Sequence, residues 1–159
     1  MTLTGDRRFT PRTTNTLSDG SYSFANVPAG GTYTVTPSKT NYSFTPGSRT
    51  YTTLNGDRNT ADFAATLKTY SISGKIRRAG STTGVNGVAV KVTASGFTTR
   101  TYTTASDGVY TFTGLPAGKS YTVKPTRINY TFSPTMRSFP NLSANQPIGA
   151  ATSFEGTPN

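Results

Sequence analysis

The chain has 159 residues, contains no Cys and no His, and carries a formal net charge of +10. The absence of Cys excludes disulfides and thiolate metal sites, and the absence of His removes the commonest general base of enzymes. Charged residues make up 14% of the chain, and nine Tyr and nine Phe supply large apolar side chains. This composition is typical of a folded β protein with a polar surface, and it excludes an intrinsically disordered chain.

Alternation of β-branched or aromatic residues with polar residues runs through the chain, and no stretch shows helical spacing. The sequence therefore predicts an all-β fold. Turn signals rich in Gly, Pro, Asp and Ser separate the apolar stretches of the second half. The predicted strands there are Tyr70–Arg77, Val88–Ala94, Thr99–Thr104, Val109–Thr113, Tyr121–Pro125, Tyr130–Phe132, Met136–Phe139 and Ile148–Phe154.

One motif occurs twice. Residues 18–35 read SDGSYSFANVPAGGTYTV, and residues 106–123 read SDGVYTFTGLPAGKSYTV, so that Asp19 recurs 88 residues later as Asp107. A period of this length predicts two small domains, residues 1–68 and residues 69–159. Several short antiparallel strands within about 90 residues are typical of a two-sheet Greek-key sandwich.

The shared aromatic positions predict the core of each copy. Residues two apart on a strand point to the same face, so the Tyr and Phe of the Y-x-F sequence should be buried together. The predicted core consists of Tyr110, Phe112, Val123, Phe132 and Phe139 in the second copy, and of Tyr22, Phe24, Val35, Phe44 and Tyr51 in the first. The Asp-Gly pair before each set predicts a tight hairpin turn.

The motif continues as N-Y-x-F-x-P at residues 41–46 and 129–134. In this form it resembles the carboxypeptidase regulatory-like domain, a prealbumin-like and immunoglobulin-like sandwich related to the collagen-adhesin B-type repeats of bacterial surface proteins. The resemblance implies a tandem pair of such sandwiches in an extracellular or bacterial cell-surface protein. Because such domains are mostly spacers, stalks or accessory modules, it implies a structural function without catalysis.

The first copy departs from the pattern. Met1 to Gly5 aligns with Val90 to Ala94, so the first copy has no counterpart of the opening strand that contains Tyr70, Ile72, Gly74 and Ile76. We expect an edge that accepts a strand at Met1 and Leu3. Three explanations are open: the chain is an excerpt of a longer array, another chain or segment supplies the strand, or the first copy tolerates the loss.

The sequence predicts no catalytic residues and no cofactor. Its carboxylates are few, and Asp19 and Asp107 are explained as turn residues. Asp57 and Asp62 are weak candidates for a metal site, because a hard cation needs more oxygen ligands than this loop offers and Arg58 interrupts it.

The expected partners are neighbouring copies or domains of the same array or fibre. The short junction around Lys68 leaves no room for a flexible linker, so we expect a stiff stalk. The alternative function is carbohydrate binding through exposed aromatics, for which Phe97 and Tyr102 are the candidates. The positive charge favours an anionic polysaccharide, no motif indicates specific binding of nucleic acid, and no apolar stretch is long enough for a transmembrane segment.

Overall fold

The computed structural model of the protein describes residues 1–6 and 8–159. Every regular element in these residues is a β-strand, so the predicted all-β class is confirmed. Contacts divide the chain into two compact units, Met1–Leu67 and Lys68–Asn159, which we call unit 1 and unit 2.

Unit 1 forms two small antiparallel sheets. One sheet has the order β2-β1-β3-β5, and the other pairs β4 with β6. The six strands are β1 (Thr2–Gly5), β2 (Arg12–Thr13), β3 (Tyr33–Thr36), β4 (Tyr42–Thr45), β5 (Arg49–Tyr51) and β6 (Ala64–Leu67).

Unit 2 forms two four-stranded sheets with the orders β13-β11-β8-β9 and β10-β7-β14-β12. All neighbouring strands are antiparallel except β7 and β14, which are parallel. The eight strands are β7 (Thr69–Arg78), β8 (Ala89–Ala94), β9 (Phe97–Thr103), β10 (Val109–Pro116), β11 (Tyr121–Thr126), β12 (Tyr130–Ser133), β13 (Arg137–Phe139) and β14 (Phe154–Pro158).

The core of unit 2 is closed by β7. Its residues Ile72 and Ile76 are completely buried, and β7 pairs with β10 on one side and with β14 on the other. Four of the five predicted core residues of this unit are buried, and Phe132 is half-buried. The buried set is Ile72, Ile76, Val85, Val88, Val90, Val92, Tyr110, Phe112, Leu115, Tyr121, Val123, Phe139, Leu142 and Phe154.

The core of unit 1 is much smaller. Among the described residues, Leu3, Tyr33 and Val35 form its buried cluster, and of these Val35 alone belongs to the predicted core. The other four predicted core residues of this unit, Tyr22, Phe24, Phe44 and Tyr51, are half-buried.

Turns occur at both Asp-Gly pairs, but the predicted hairpin is wrong for Asp107-Gly108, because β9 before this turn and β10 after it belong to different sheets. Gly20 and Gly108 have positive φ angles of 85° and 69°, which favour glycine. The side chain of Asp19 accepts a hydrogen bond from the N–H of Ser21 (2.9 Å). Each turn leads into the Y-x-F sequence of its copy.

The last predicted strand of unit 2, residues 148–154, was wrong in position. The final strand begins at Phe154, where the prediction ended. The preceding residues form a turn because the Thr152 hydroxyl donates to the carbonyl of Pro147 (2.9 Å) and accepts from the N–H of Gly149 (3.0 Å). Hydrogen bonding of Thr to nearby backbone competes with strand pairing, which the alternation pattern does not reveal.

Candidate strand-binding groove

The central sheet of unit 1 repeats that of unit 2 in register. In unit 1 Leu3 pairs with Val35, and in unit 2 Val92 pairs with Val123. The next pair is also equivalent, since Tyr33 faces Tyr51 as Tyr121 faces Phe139. The two units can therefore be compared position by position.

One wall of the groove is formed by residues 21–28, the counterpart of β10. Arg12 Nη1 donates a hydrogen bond to the carbonyl of Ala25 (2.8 Å), just as Arg100 Nη2 donates to the carbonyl of Thr113 (2.7 Å). The segment therefore lies in the place of β10, although it forms no strand in unit 1.

A second contact holds the end of this wall. The Tyr33 hydroxyl donates to the carbonyl of Pro28 (2.9 Å), and the Tyr121 hydroxyl donates to the carbonyl of Pro116 (3.0 Å). Side chains of the central sheet therefore hold this wall at Ala25 and at Pro28, although no strand pairs with it.

The opposite wall is formed by residues 61–67, the counterpart of residues 152–158. Arg49 Nε donates to the carbonyl of Asp62 (2.9 Å), and Arg137 Nε donates to the carbonyl of Ser153 (2.8 Å). The guanidinium of Arg49 also lies over the ring of Phe63 (5.9 Å), as that of Arg137 lies over Phe154 (5.6 Å). Cation–π contacts of this kind are worth about 0.5–1 kcal/mol at exposed sites.

Between these walls, unit 2 holds β7, whereas unit 1 has an open groove with a volume of about 920 Å³. Residues 20–27 and 54–59 line it, together with Ala61 and Asp62, and the buried residues Leu3 and Val35 also face it. A strand placed there would find backbone N–H and C=O groups on the first wall, residues 21–28, which belong to no sheet.

The open groove leaves apolar side chains partly exposed. Five residues of unit 1 are half-buried where their counterparts in unit 2 are at most 4% exposed. Covering such side chains is favourable by about 25 cal/mol per Å² of apolar surface, so the groove is suited to an apolar occupant. The pairs are Tyr22 and Tyr110, Phe24 and Phe112, Val27 and Leu115, Leu54 and Leu142, and Phe63 and Phe154.

Tyr22 bridges the two walls. Its hydroxyl donates to the carbonyl of Ala61 (2.5 Å), and in unit 2 the Tyr110 hydroxyl donates to the carbonyl of Thr152 in the same way. Burial raises the pKa of Tyr22, and the nearby Tyr51 and Asp62 raise it further, against an opposing effect of Arg49. Burial also raises the pKa of Tyr110. Both hydroxyls are therefore neutral donors at neutral pH.

The structure corrects the predicted position of the acceptor edge. Strand β1 pairs with β2 on one side and with β3 on the other, so Leu3 is not at an edge. The amino group of Met1 donates to the carbonyl of Thr14 (2.8 Å), which also leaves no open side there. The unpaired backbone belongs instead to residues 21–28, the counterpart of the strand that pairs with β7 in unit 2.

The residues predicted for the opening strand of the second copy all lie in β7. Ile72 and Ile76 point into the core, Tyr70 is half-buried, and Gly74 passes directly against Tyr110. Tyr110 pairs with Gly74 across the ladder between β10 and β7. Sequence reasoning assigned these two tyrosines to the core and missed their hydrogen bonds to the opposite wall.

The two acidic candidates, Asp57 and Asp62, line the groove and have exposed side chains. Among the described residues, no three His, Cys, Asp or Glu side chains come close enough together to hold a metal ion. Arg58 donates to the side-chain oxygen of Asn55 (3.3 Å) in the same loop as Asp57. The geometry brings Asp57 and Asp62 to the rim of one groove but does not assemble a cation site from them.

The two aromatic candidates for sugar binding differ. Phe97 is half-buried, contacts Tyr121 edge to face (5.3 Å between centroids), and lies under the guanidinium of Arg100 (5.4 Å). Its counterpart in unit 1 is Phe9, which contacts Tyr33 in the same way (5.0 Å). Tyr102 is 39% exposed and remains the better-placed candidate of the two.

A family described as the BOS complex subunit NOMO1-like, second beta sandwich domain, matches residues 67–152, which is more than half of the chain. The chain is also similar to chitinase ChiA of Flavobacterium johnsoniae, with 33% identity over 131 residues. That alignment covers 82% of this chain but 8% of the chitinase, so the chain spans only a small part of this relative.

None of the described residues belongs to a helix that is long and apolar enough to cross a membrane.

Proposed function

The chain belongs to this NOMO1-like β-sandwich family, and on that premise we propose that it is a non-catalytic structural module of a larger extracellular or cell-surface protein. One observation carries the proposal: unit 1 reproduces the contacts of unit 2 but leaves the place of β7 open. A module of this kind acts as a stalk or fibre element in which a neighbouring domain completes unit 1 with a strand.

The absence of a catalytic role is supported by the chemistry of the side chains. The sequence contains no His and no Cys, and its six acidic residues include two that serve the Asp-Gly turns. The similarity to the chitinase covers 8% of that enzyme and is no evidence of catalysis in this chain. We expect the isolated chain to show no hydrolysis of chitin oligosaccharides.

The proposal of an extracellular location is supported by the similarity to the chitinase. Chitin is an insoluble polymer, so a chitinase meets its substrate outside the cell membrane. The segment that is similar to this chain is part of that enzyme. The net charge of +10 suits contact with anionic polysaccharide at such a location.

The proposed role as a stalk requires that the two units do not move freely. Only Lys68 separates β6 from β7, and we propose that such a short junction does not act as a flexible linker. We expect ¹⁵N relaxation to give one rotational correlation time for both units. A variant with a Gly/Ser linker inserted after Lys68 should give two shorter times. Independent tumbling of the units in the unmodified chain would contradict a stiff stalk.

Strand completion makes a separate prediction. A synthetic peptide with the sequence of Thr69–Arg78 should raise the melting temperature of unit 1, because a ligand that binds only the folded state stabilises it. The scrambled peptide of the same composition is the control. No shift at a saturating concentration of the peptide would argue against completion by a strand.

Carbohydrate binding is the second candidate function, favoured by the exposure of Tyr102 and by the chitinase relative. It predicts retention on chitin beads in about 0.5 M salt, where attraction by net charge is screened. Tyr102→Ala should abolish the retention, and Thr101→Ala on the same strand should not. Loss of retention of the unmodified chain at this salt concentration would point to charge alone.

A further inference from the structure

We propose that the groove of unit 1 accepts one class of occupant, a basic β-strand from outside residues 1–159 with the pattern apolar-x-Gly-x-apolar. It lies antiparallel to residues 21–27 and parallel to the wall that begins at Ala61, with its glycine against Tyr22. The inference rests on the proposed completion of unit 1 by a strand, and it specifies the chemistry and orientation of that strand.

The requirement for glycine follows from the tyrosine bridge. In unit 2 a Cβ added at Gly74 would overlap the carbonyl oxygen of Thr152 and the hydroxyl of Tyr110. The backbone oxygen cannot move away without breaking the wall, so only glycine fits. Tyr22 and Ala61 form the same bridge in unit 1, and any strand that crosses it meets the same obstruction.

The apolar positions flank the glycine at a spacing of two residues. In unit 2 these positions are Ile72 and Ile76, both completely buried, and Ile72 pairs with Phe112. The counterpart of Phe112 is Phe24, which is half-buried and lines the open groove. An apolar residue two positions from the glycine would therefore cover Phe24, and the alternation follows from the period of a strand.

The charge preference comes from the rim of the groove. In unit 2 the side-chain oxygen of Asn145 accepts from the N–H of Ser71 (2.9 Å), and that of Ser153 accepts from the N–H of Lys75 (3.3 Å). These are the side chains that hold the backbone of β7 beyond the ladder itself.

Unit 1 has carboxylates at both positions. Asp57 is 88 residues before Asn145, and the carbonyl of Asp62 receives Arg49 as that of Ser153 receives Arg137. Carboxylates are stronger acceptors than neutral oxygens. Arg58 also lines the groove, so the described charged side chains of the lining leave a net negative charge, which attracts a positively charged strand. The β7 sequence itself carries Lys75, Arg77 and Arg78, which makes it a suitable probe.

The occupant is not β7 of the same chain. That strand is paired on both sides, and its removal would expose Ile72 and Ile76 together with the side chains they cover. Donation of β7 by a second copy carries the same cost, because filling unit 1 of one chain would leave unit 2 of the other chain without its strand. A strand from another polypeptide segment completes unit 1 without this loss.

The test uses the full chain and three synthetic peptides. The first has the sequence of Thr69–Arg78, the second carries Gly74→Ala, and the third is scrambled. We expect the first peptide to shift the amide resonances of residues 21–27 and 57–63, with binding at least about tenfold tighter than that of the Gly74→Ala peptide. A chain with Asp57→Asn and Asp62→Asn should bind the first peptide several-fold more weakly and with less dependence on salt.

Each result has one meaning. If none of the peptides binds, the proposed completion by a strand is itself wrong. If the first two bind equally, a strand fills the groove but the requirement for glycine is wrong. If the double Asn variant binds as well as the unmodified chain, the preference for a basic strand is wrong. Oligomers of the chain alone that the first peptide dissociates in light scattering would identify a second copy as the occupant and overturn the proposal.

Discussion

Gly74 shows how a single residue allows a strand to lie between the two walls. Its ladder partner is Tyr110, whose hydroxyl reaches over the strand to the carbonyl of Thr152. The side chain of any other residue would occupy the space of that bridge. The motif contains the tyrosine in both copies, so both units impose this condition on whatever lies between their walls.

This close approach predicts that a single added methyl group at Gly74 strongly lowers the stability of unit 2. Gly74→Ala should lower the free energy of unfolding of unit 2 by about 3 kcal/mol, because the added methyl group meets a backbone oxygen that cannot yield. Gly149→Ala in the same unit is the control, since the nearest heavy atom to its Cβ would be the carbonyl oxygen of Pro147 at 4.0 Å, an ordinary van der Waals distance. The measurement is denaturant unfolding followed by the NMR signals of unit 2. Equal effects of the two changes would contradict the close approach.

Residues 21–28 and β10 show how an element depends on its neighbour. The two segments share the alternation Ser-Tyr-Ser-Phe or Val-Tyr-Thr-Phe, and the same Arg and Tyr contacts hold them. Only β10 is a strand, because β7 pairs with it along most of its length. Alternation indicates which face of a segment is apolar, but the ladder bonds come from a second segment.

The same comparison predicts that equivalent side chains of the two units contribute unequally to stability. Phe112→Ala should cost about 3–5 kcal/mol, as is typical of a buried phenylalanine. Phe24→Ala should cost unit 1 less than half as much, since its ring is already partly exposed to solvent. Unfolding of each unit, followed by its own NMR signals, gives both values. Similar losses at the two positions would mean that the groove is covered in solution.

At the scale of the whole molecule, the two units differ in the size of their cores. In the part of the chain that the structure describes, the buried cluster of unit 2 contains 14 residues, whereas that of unit 1 contains three. Burial of apolar surface is the main favourable contribution to folding, so the stabilities of the units should differ in the same direction.

We therefore expect two thermal transitions, with unit 1 unfolding at the lower temperature. The signals of its amides should disappear first on heating, while those of unit 2 persist. The Thr69–Arg78 peptide should move only the first transition upward, because unit 2 already contains its strand. A single cooperative transition of the whole chain would show that the units stabilise each other.

The sequence alone determined much of this protein. The all-β class and the Asp-Gly turns follow from patterns between residues close along the chain. The repeat, and the identity of β7 as the strand without a counterpart, follow from comparing two copies of one motif that are 88 residues apart. Both kinds of pattern are visible in the order of residues, so one sequence is enough to detect them. The weakest prediction was the final strand, where hydrogen bonds of Thr152 replaced strand pairing by a turn.

Only the tertiary structure decided where the vacancy lies. The predicted edge at Met1 and Leu3 is paired on both sides, and the open backbone is at residues 21–28. It also brought Asp57 and Asp62 to the rim of the groove and Tyr22 against Ala61 on the opposite wall. These relations join segments far apart along the chain, and their geometry depends on packing, which the order of residues does not express.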